Sequence, residues 1–341
     1  MNLQVLQSEK RDAWDEYVLN NPQSIAWQMY GWSDVVSLNY TTKFYPLAVM
    51  DGSEICGVLP LYHYKTKLKG DLLISVPFAV AGGIVANNDE SRMILLNEAI
   101  KISEEYNKCR IALKQYKHKM PGELKTDDNF YNRELDLSKD REILKNKFDE
   151  INKKKLEDTE KYKFSLDYPS SDLNTFYKIL SIHHHRRGIP CVAKKWIKTL
   201  VDFKLYSMAI IKYEGSPVAA TMAKEFKDTV SFPFTCLTKD DEFTRLSVYK
   251  LYWELIQHFA DKGKNIFHSG RIPNTDIADE YRLGWGGTKY TYYNQYHPKT
   301  VSQTEFTQKR SKKREMFEKI WVATPRFITN VIGPKIVKQF P

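Results

Sequence analysis

Two segments of the chain share one pattern. Tyr45–Tyr64 (YPLAVMDGSEICGVLPLYHY) and Tyr206–Phe226 (YSMAIIKYEGSPVAATMAKEF) are apolar runs broken near the middle by an acid followed by glycine. That break predicts a hairpin with an apolar outgoing strand in each case. Around the first hairpin, the spacing predicts helices at Tyr30–Leu38 and Ser91–Tyr106, with Ile94, Leu95, Ala99 and Ile102 on the buried face, then strands at Arg110–Gln115 and Tyr131–Leu137. Pro121–Asn129 is polar and turn-rich and reads as a loop, and Ser138–Lys161 as a charged, solvated connecting helix. The second half repeats the scheme. It has a strand at Tyr162–Tyr168, a helix from Asp172 to Gly188, the hairpin, a strand at Thr229–Thr238, and a long helix capped at Thr244 and ended by Gly263. A strand at Asn265–Ser269, a helix at Asp276–Leu283 and an aromatic strand at Tyr290–Tyr296 complete a small α+β domain. The expectation is one α+β unit duplicated: residues 1–150, residues 151–300, and a tail over 301–341.

With 341 residues the chain exceeds a single ordinary core, in keeping with two domains. It has no apolar run long enough to span a bilayer and no basic-then-apolar start, so a cytoplasmic location is expected. Cys56, Cys109, Cys191 and Cys236 are widely spaced and form neither a zinc pattern nor a disulfide framework. The net charge of +10 is concentrated in Val301–Pro341, which holds nine Lys or Arg against three Glu. Its KRSKKREMFEKIW followed by VATPRFITNVIGPKIVKQFP suits an anchor on the inner, anionic face of the cell membrane or helices packed back on the body, with nucleic acid a third candidate for the same charge although no recognition motif accompanies it.

Candidate chemistry concentrates in Gly263–Pro298, GKNIFHSGRIPNTDIADEYRLGWGGTKYTYYNQYHP. Arg271 falls where a strand gives way to a loop, a place to clamp an anionic group, or else to pair with an acid such as Glu280. His183, His184 and His185 are consecutive on a helix and point about 100° apart, so they do not converge on one metal ion; no metal is expected. Arg186 and Arg187 at that helix's end either compensate its dipole or meet a substrate anion. No nucleophile elbow, P-loop or dinucleotide fingerprint occurs.

AWQMYGW, GVLPLYHYKTKLKG, SVPFAVAGGIVA, RRGIP, SPVAATMA and above all NIFHSGRIPNTDIADEYRLGWGG resemble, in order, the FemAB-like branch of the GNAT acyltransferase superfamily. The tail is similar to that of members associated with polysaccharide systems. The resemblance implies tandem GNAT-like domains, each a mixed, mostly antiparallel sheet flanked by helices, that move an acyl or aminoacyl group to an amine. It implies no tightly bound cofactor. Aminoacyl-tRNA or acyl-CoA would be the donor co-substrate, and a cell-envelope or polysaccharide precursor the acceptor. The family usually has Asp where His268 stands and Phe-Lys where Tyr281-Arg282 stands; Arg282 keeps the charge but cannot act as a base. On this reading His268 and Tyr281 transfer protons, while Arg271, Arg282, Lys67, Arg187 and Trp285 bind substrate. TKDDEFTRL before the long helix carries Asp240, Asp241 and Glu242 where a glycine-rich turn for coenzyme A belongs, which disfavours a pyrophosphate. The rival reading is a non-catalytic scaffold of the same fold docking at a membrane-bound assembly complex.

Overall fold

The computed structural model describes residues 2–6, 8–68, 70–274, 280–298 and 312–341. The chain forms two compact units. One holds Met1–Phe130, Thr291–Gln308 and Lys338–Pro341; the other holds Tyr131–Tyr290 and Lys309–Val337. The division thus falls at Phe130 rather than at residue 150.

In chain order the first unit contains β1 (Asn2–Val5), α1 (Arg11–Asn20), α2 (Gly31–Asn39), the hairpin β2 (Thr42–Asp51) and β3 (Glu54–Thr66), β4 (Gly70–Ile74), β5 (Val85–Ala86), α3 (Asp89–Glu105) and β6 (Arg110–Tyr116). A strand β7 (Lys125–Asp136) then crosses the unit boundary. The second unit continues with α4 (Arg141–Lys145), α5 (Glu150–Thr159), β8 (Phe164–Ser170), α6 (Leu173–Arg186), α7 (Lys194–Asp202) and the hairpin β9 (Ser207–Tyr213) and β10 (Ser216–Phe226). After them come β11 (Thr229–Ser231), β12 (Cys236–Leu237), α8 (Glu242–Asp261), β13 (Ile266–His268) and β14 (Ile272–Pro273); β15 (Thr288–His297) then returns to the first unit from Thr291 on, and α9 (Lys312–Ala323) and α10 (Arg326–Val337) belong to the second.

The expected duplication is visible in the pairing. In the first unit β1, β2, β3 and β4 run antiparallel in turn, β4 pairs β6 in parallel across α3, and β6 takes an antiparallel partner. In the second, β8, β9, β10 and β11 run antiparallel, β11 pairs β13 in parallel across α8, and β13 takes an antiparallel partner. The closing strand of each is not the one expected. β15, late in the chain, closes the first sheet by pairing with β6, and β7, from the middle, closes the second by pairing with β13.

Each sheet buries one face under its crossover helix. Leu47, Leu59, Leu61, Ile111 and Leu113 pack with Leu95, Ala99 and Ile102 of α3. In the second unit Ala209, Ile211, Val230 and Phe267 pack with Val248, Leu251, Leu255 and Phe259 of α8. Asp241, not Thr244, caps α8: its side chain accepts the Thr244 N–H at 2.8 Å. Ser138–Lys161 is not a solvated connector. It is the two helices α4 and α5, started by the caps Asp140 and Asp149, and its Leu144, Phe148 and Leu156 join the second core. β7 begins at Lys125, inside the segment expected to be a loop, because its first residues are partly or fully exposed and therefore polar. The short helix α7 buries Trp196, Ile197 and Leu200 and went unrecognised in the sequence.

The tail packs on the second unit. Trp321 is buried, the Thr324 carbonyl lies 2.8 Å from His185 Nε2, and Gly188 and Gly333 leave just enough room for Glu318 and for the Cys191 backbone. Among the described residues no helix is long and apolar enough to cross a membrane.

Candidate functional site

The segment Thr229–Thr238 breaks into β11 and β12 because Pro233 has no N–H to give a ladder and Phe234 takes φ +61°. Up to the break, β11 and β13 are joined in parallel: Thr229 faces Ile266, Val230 faces Phe267 and Ser231 faces His268. Beyond it they part. β12 stays with β10, while the chain after His268 turns at Gly270, φ +83°, and β14 pairs with β7. Two parallel strands that diverge leave backbone groups without a ladder partner, and His268 stands where the parting begins.

Strand register places a polar row across this end of the sheet. Lys224 faces Ser231, Ser231 faces His268 and His268 faces Glu134. Directly paired residues project from the same face with Cβ atoms about 5 Å apart. Their chain neighbours Val230, Phe267 and Leu135 lie in the core, so the row occupies the opposite face. Sequence periodicity could not find it, since Glu134 and Lys224 sit in distant strands with no shared motif. Burial holds the Lys224 amine well below the usual lysine range, and its Nζ lies 5.2 Å from the centre of the Tyr206 ring. The folded state therefore binds fewer protons there than the unfolded chain, so this group makes stability rise with pH up to the unfolded lysine value, about 10.4. Lys224→Met is expected to abolish that part of the rise, measured as unfolding free energy from denaturant titrations at neutral and alkaline pH.

His268 is half-buried, and its Nδ1 accepts the Gly270 N–H at 3.2 Å. The neutral ring thus carries its proton on Nε2 and presents a donor rather than a base. Asn132 Oδ1, fully buried, also takes the Gly270 N–H, at 3.1 Å, and the Ser269 hydroxyl at 3.2 Å, which holds the turn into which Arg271 follows. Arg271 is half-buried, and its carbonyl lies 3.5 Å from the Arg282 guanidinium. The expected helix Asp276–Leu283 and the side chain of Glu280 lie outside the described residues, apart from a 3-10 turn at Glu280–Arg282.

Tyr281 and Trp285 lie beneath this loop. Trp285 is 2% exposed, donates its Nε1–H to the Tyr281 carbonyl at 2.8 Å, and sits with its ring 5.1 Å from Phe148 and 5.7 Å from Tyr252. The expectation that Trp285 contacts substrate is corrected by that burial; it anchors the loop. Tyr281, 4% exposed and edge-on to Tyr252, is likewise a core ring. After Trp285 the chain turns sharply, and a Cβ at Gly287, φ +88°, would collide with the Glu134 carbonyl, so the loop is pressed against the strand that carries the row.

Of the remaining expected cations, Arg187 is the exposed C-cap of α6, and Lys67 is an exposed turn residue of the first unit whose backbone N–H donates to Gln339 Oε1 at 2.7 Å. His183 and Arg186 have a definite task. Leu237 N–H donates to His183 Nδ1 at 3.3 Å, and Arg186 donates to the Thr238 and Leu237 carbonyls at 3.1 and 3.5 Å, so the edge of β12 left bare by the parting is already satisfied. At the start of α8, Asp241 accepts the Thr244 N–H, while the carboxylates of Asp240 and Glu242 accept from the Arg245 side chain at 3.0 Å and from Lys155 Nζ at 3.1 Å. Among the described residues no group of three or more His, Cys, Asp or Glu is placed to hold a metal ion.

No family model and no curated protein matches the sequence. Solved structures do match. The crystal structure of FemX superposes with a TM-score of 0.66 at 12% identity, over 86% of this chain and 97% of that one. The chain shares its fold with FemX. L-PGS from Bacillus licheniformis matches at TM-score 0.56 and 12% identity over 93% of this chain and 96% of that one. A tandem GNAT protein from the clavulanic acid biosynthesis pathway matches at 0.50 and 10%, over 86% and 98%. The FemX-like, GNAT-type fold thus covers both units, and the parting of β11 and β13 lies in the second.

Proposed function

We propose that the chain is an acyltransferase that moves an acyl or aminoacyl group onto an amine at the opening between β11 and β13. The observation that carries this reading is that the strands part at Ser231 and His268, where the His268 ring offers a donor carbonyl a hydrogen-bond donor and the Glu134 carboxylate stands one strand beyond it. The amine attacks the carbonyl carbon. His268 Nε2–H stabilises the oxyanion that forms, Glu134 takes the proton the amine loses, and collapse expels the donor's oxygen or sulfur with a proton returned to it. Glu134, directly across from His268, supplies the negative charge that the related pattern carries at position 268. Arg271 and Arg282 bind phosphate on donor or acceptor.

The donor we favour is an aminoacyl ester of tRNA. The start of α8 sets the carboxylates of Asp240, Asp241 and Glu242 against a coenzyme A pyrophosphate, with Asp241 already holding the Thr244 N–H, and the side-chain partners along the edge of β12 compete with an extended thioester arm. The acceptor we favour is an amine on a cell-envelope or polysaccharide precursor, a class taken from the resemblance in the sequence.

The purified protein, incubated with a charged tRNA pool or an acyl-CoA pool and candidate amines, is expected to yield a mass-shifted acceptor from the tRNA pool. Glu134→Gln is expected to lower kcat about a hundredfold with little change in KM. Product from acyl-CoA alone would overturn the donor, an unchanged kcat would overturn the base, and no product from either pool would favour the scaffold reading.

A further inference from the structure

Each C-terminal helix has two apolar sides. One side of α9 and α10 is used, through Trp321, Thr329 and Gly333, to pack on the second unit. On the outer side, Met316 and Ile320 of α9 are 60% and 59% exposed, and Phe327 and Val331 of α10 are 73% and 63% exposed. Both pairs are spaced i, i+4, so each forms a stripe along its helix. Lone exposed apolar residues are ordinary on a protein surface, but repeated large ones at helical spacing mark an interaction face.

The charge around these stripes identifies the partner. Residues 312–341 hold seven Lys or Arg against two Glu, and from Lys319 to Pro341 there is no acid at all. Lys312, Lys313 and Lys319 flank the stripe on α9, and Lys335 and Lys338 continue the exposed face of α10 on which Phe327 and Val331 lie. One of the two acids, Glu318, is turned inward, where it pairs with Arg314 at 2.9 Å and is only 14% exposed. Apolar side chains bordered by lysine are the composition of a helix lying in the boundary between headgroups and acyl chains of an anionic bilayer.

We propose that α9 and α10 together seat this protein on an anionic lipid surface, with Met316, Ile320, Phe327 and Val331 inserted and the flanking lysines on the headgroups. The inner side remains packed on the body, so binding needs no unfolding of the tail. This inference is independent of the proposed reaction, and its test needs no substrate.

The full-length protein is sedimented with phosphatidylcholine vesicles with and without phosphatidylglycerol, alongside F327E/V331E. The wild type is expected to bind only the anionic vesicles and to be released by high salt, while the variant, with an unchanged melting temperature, binds at least about tenfold more weakly. Absence of vesicle binding by the wild type overturns the proposal. So does equal binding of the variant, which would mean charge alone acts, and so does a dimer lost in F327E/V331E without vesicle binding, which would assign the stripes to a second copy of the chain.

Discussion

Trp285→Ala is expected to lower the unfolding free energy of the second unit by about 3–5 kcal/mol, the usual cost of emptying a large aromatic site. The ring is fully enclosed among Phe148, Tyr249 and Tyr252, and its N–H satisfies the Tyr281 carbonyl. Truncation therefore leaves a cavity and an unmet carbonyl together. Phe148 comes from the segment between β7 and α5, Tyr249 and Tyr252 from α8, and Tyr281 from the loop after β14. The same change should therefore loosen the loop that carries Arg271 and Arg282. Denaturant titration followed by tryptophan fluorescence and by circular dichroism measures the first effect; hydrogen exchange at residues 281–287 measures the second. A loss below about 1 kcal/mol would show that the ring is not the anchor its burial indicates.

Arg271→Ala is expected to lower kcat/KM about a hundredfold, the cost of one charge-assisted contact of about 2–3 kcal/mol in a half-buried site. The loss should fall mainly on KM, because in the proposed reaction the residue binds a group that does not react. Arg271→Lys should recover only part of it, since an ammonium cannot reproduce a two-pronged contact to phosphate. This split separates Arg271 from Glu134, whose replacement should act on kcat. Activity unchanged in Arg271→Ala would remove the anion clamp from the reading, while leaving the strand opening and the row at His268 untouched.

Much of the second unit was legible in order and type. The hairpins announced themselves through Asp51-Gly52 and Glu214-Gly215, and α8 through its helical spacing and Gly263. Errors came where local signals competed. Thr244 looks like a cap, but Asp241 three residues earlier accepts the backbone donor first. Thr229–Thr238 reads as one strand until Pro233 and Phe234 interrupt its ladder. Of the candidate site, His268 and Arg271 were singled out because a strand end, a glycine turn and a proline lie close together in sequence. Trp285 was expected to bind substrate and Tyr281 to transfer a proton, yet both rings lie in the core, because a sequence does not show which way a ring points.

By itself the sequence determined the repeated α+β unit, the hairpins and long helices, and the basic tail, because periodicity and turn chemistry act over a few residues. Only the tertiary structure decided which strand closes which sheet. β7 and β15 each carry apolar and aromatic residues suited to any sheet edge, and pairing across more than a hundred residues leaves no local mark. The row of Lys224, Ser231, His268 and Glu134 depends on that choice, since Glu134 faces His268 only because β7 closes the second sheet. Those two residues meet because backbone hydrogen bonds set the register between distant strands, and register is a property of the assembled sheet.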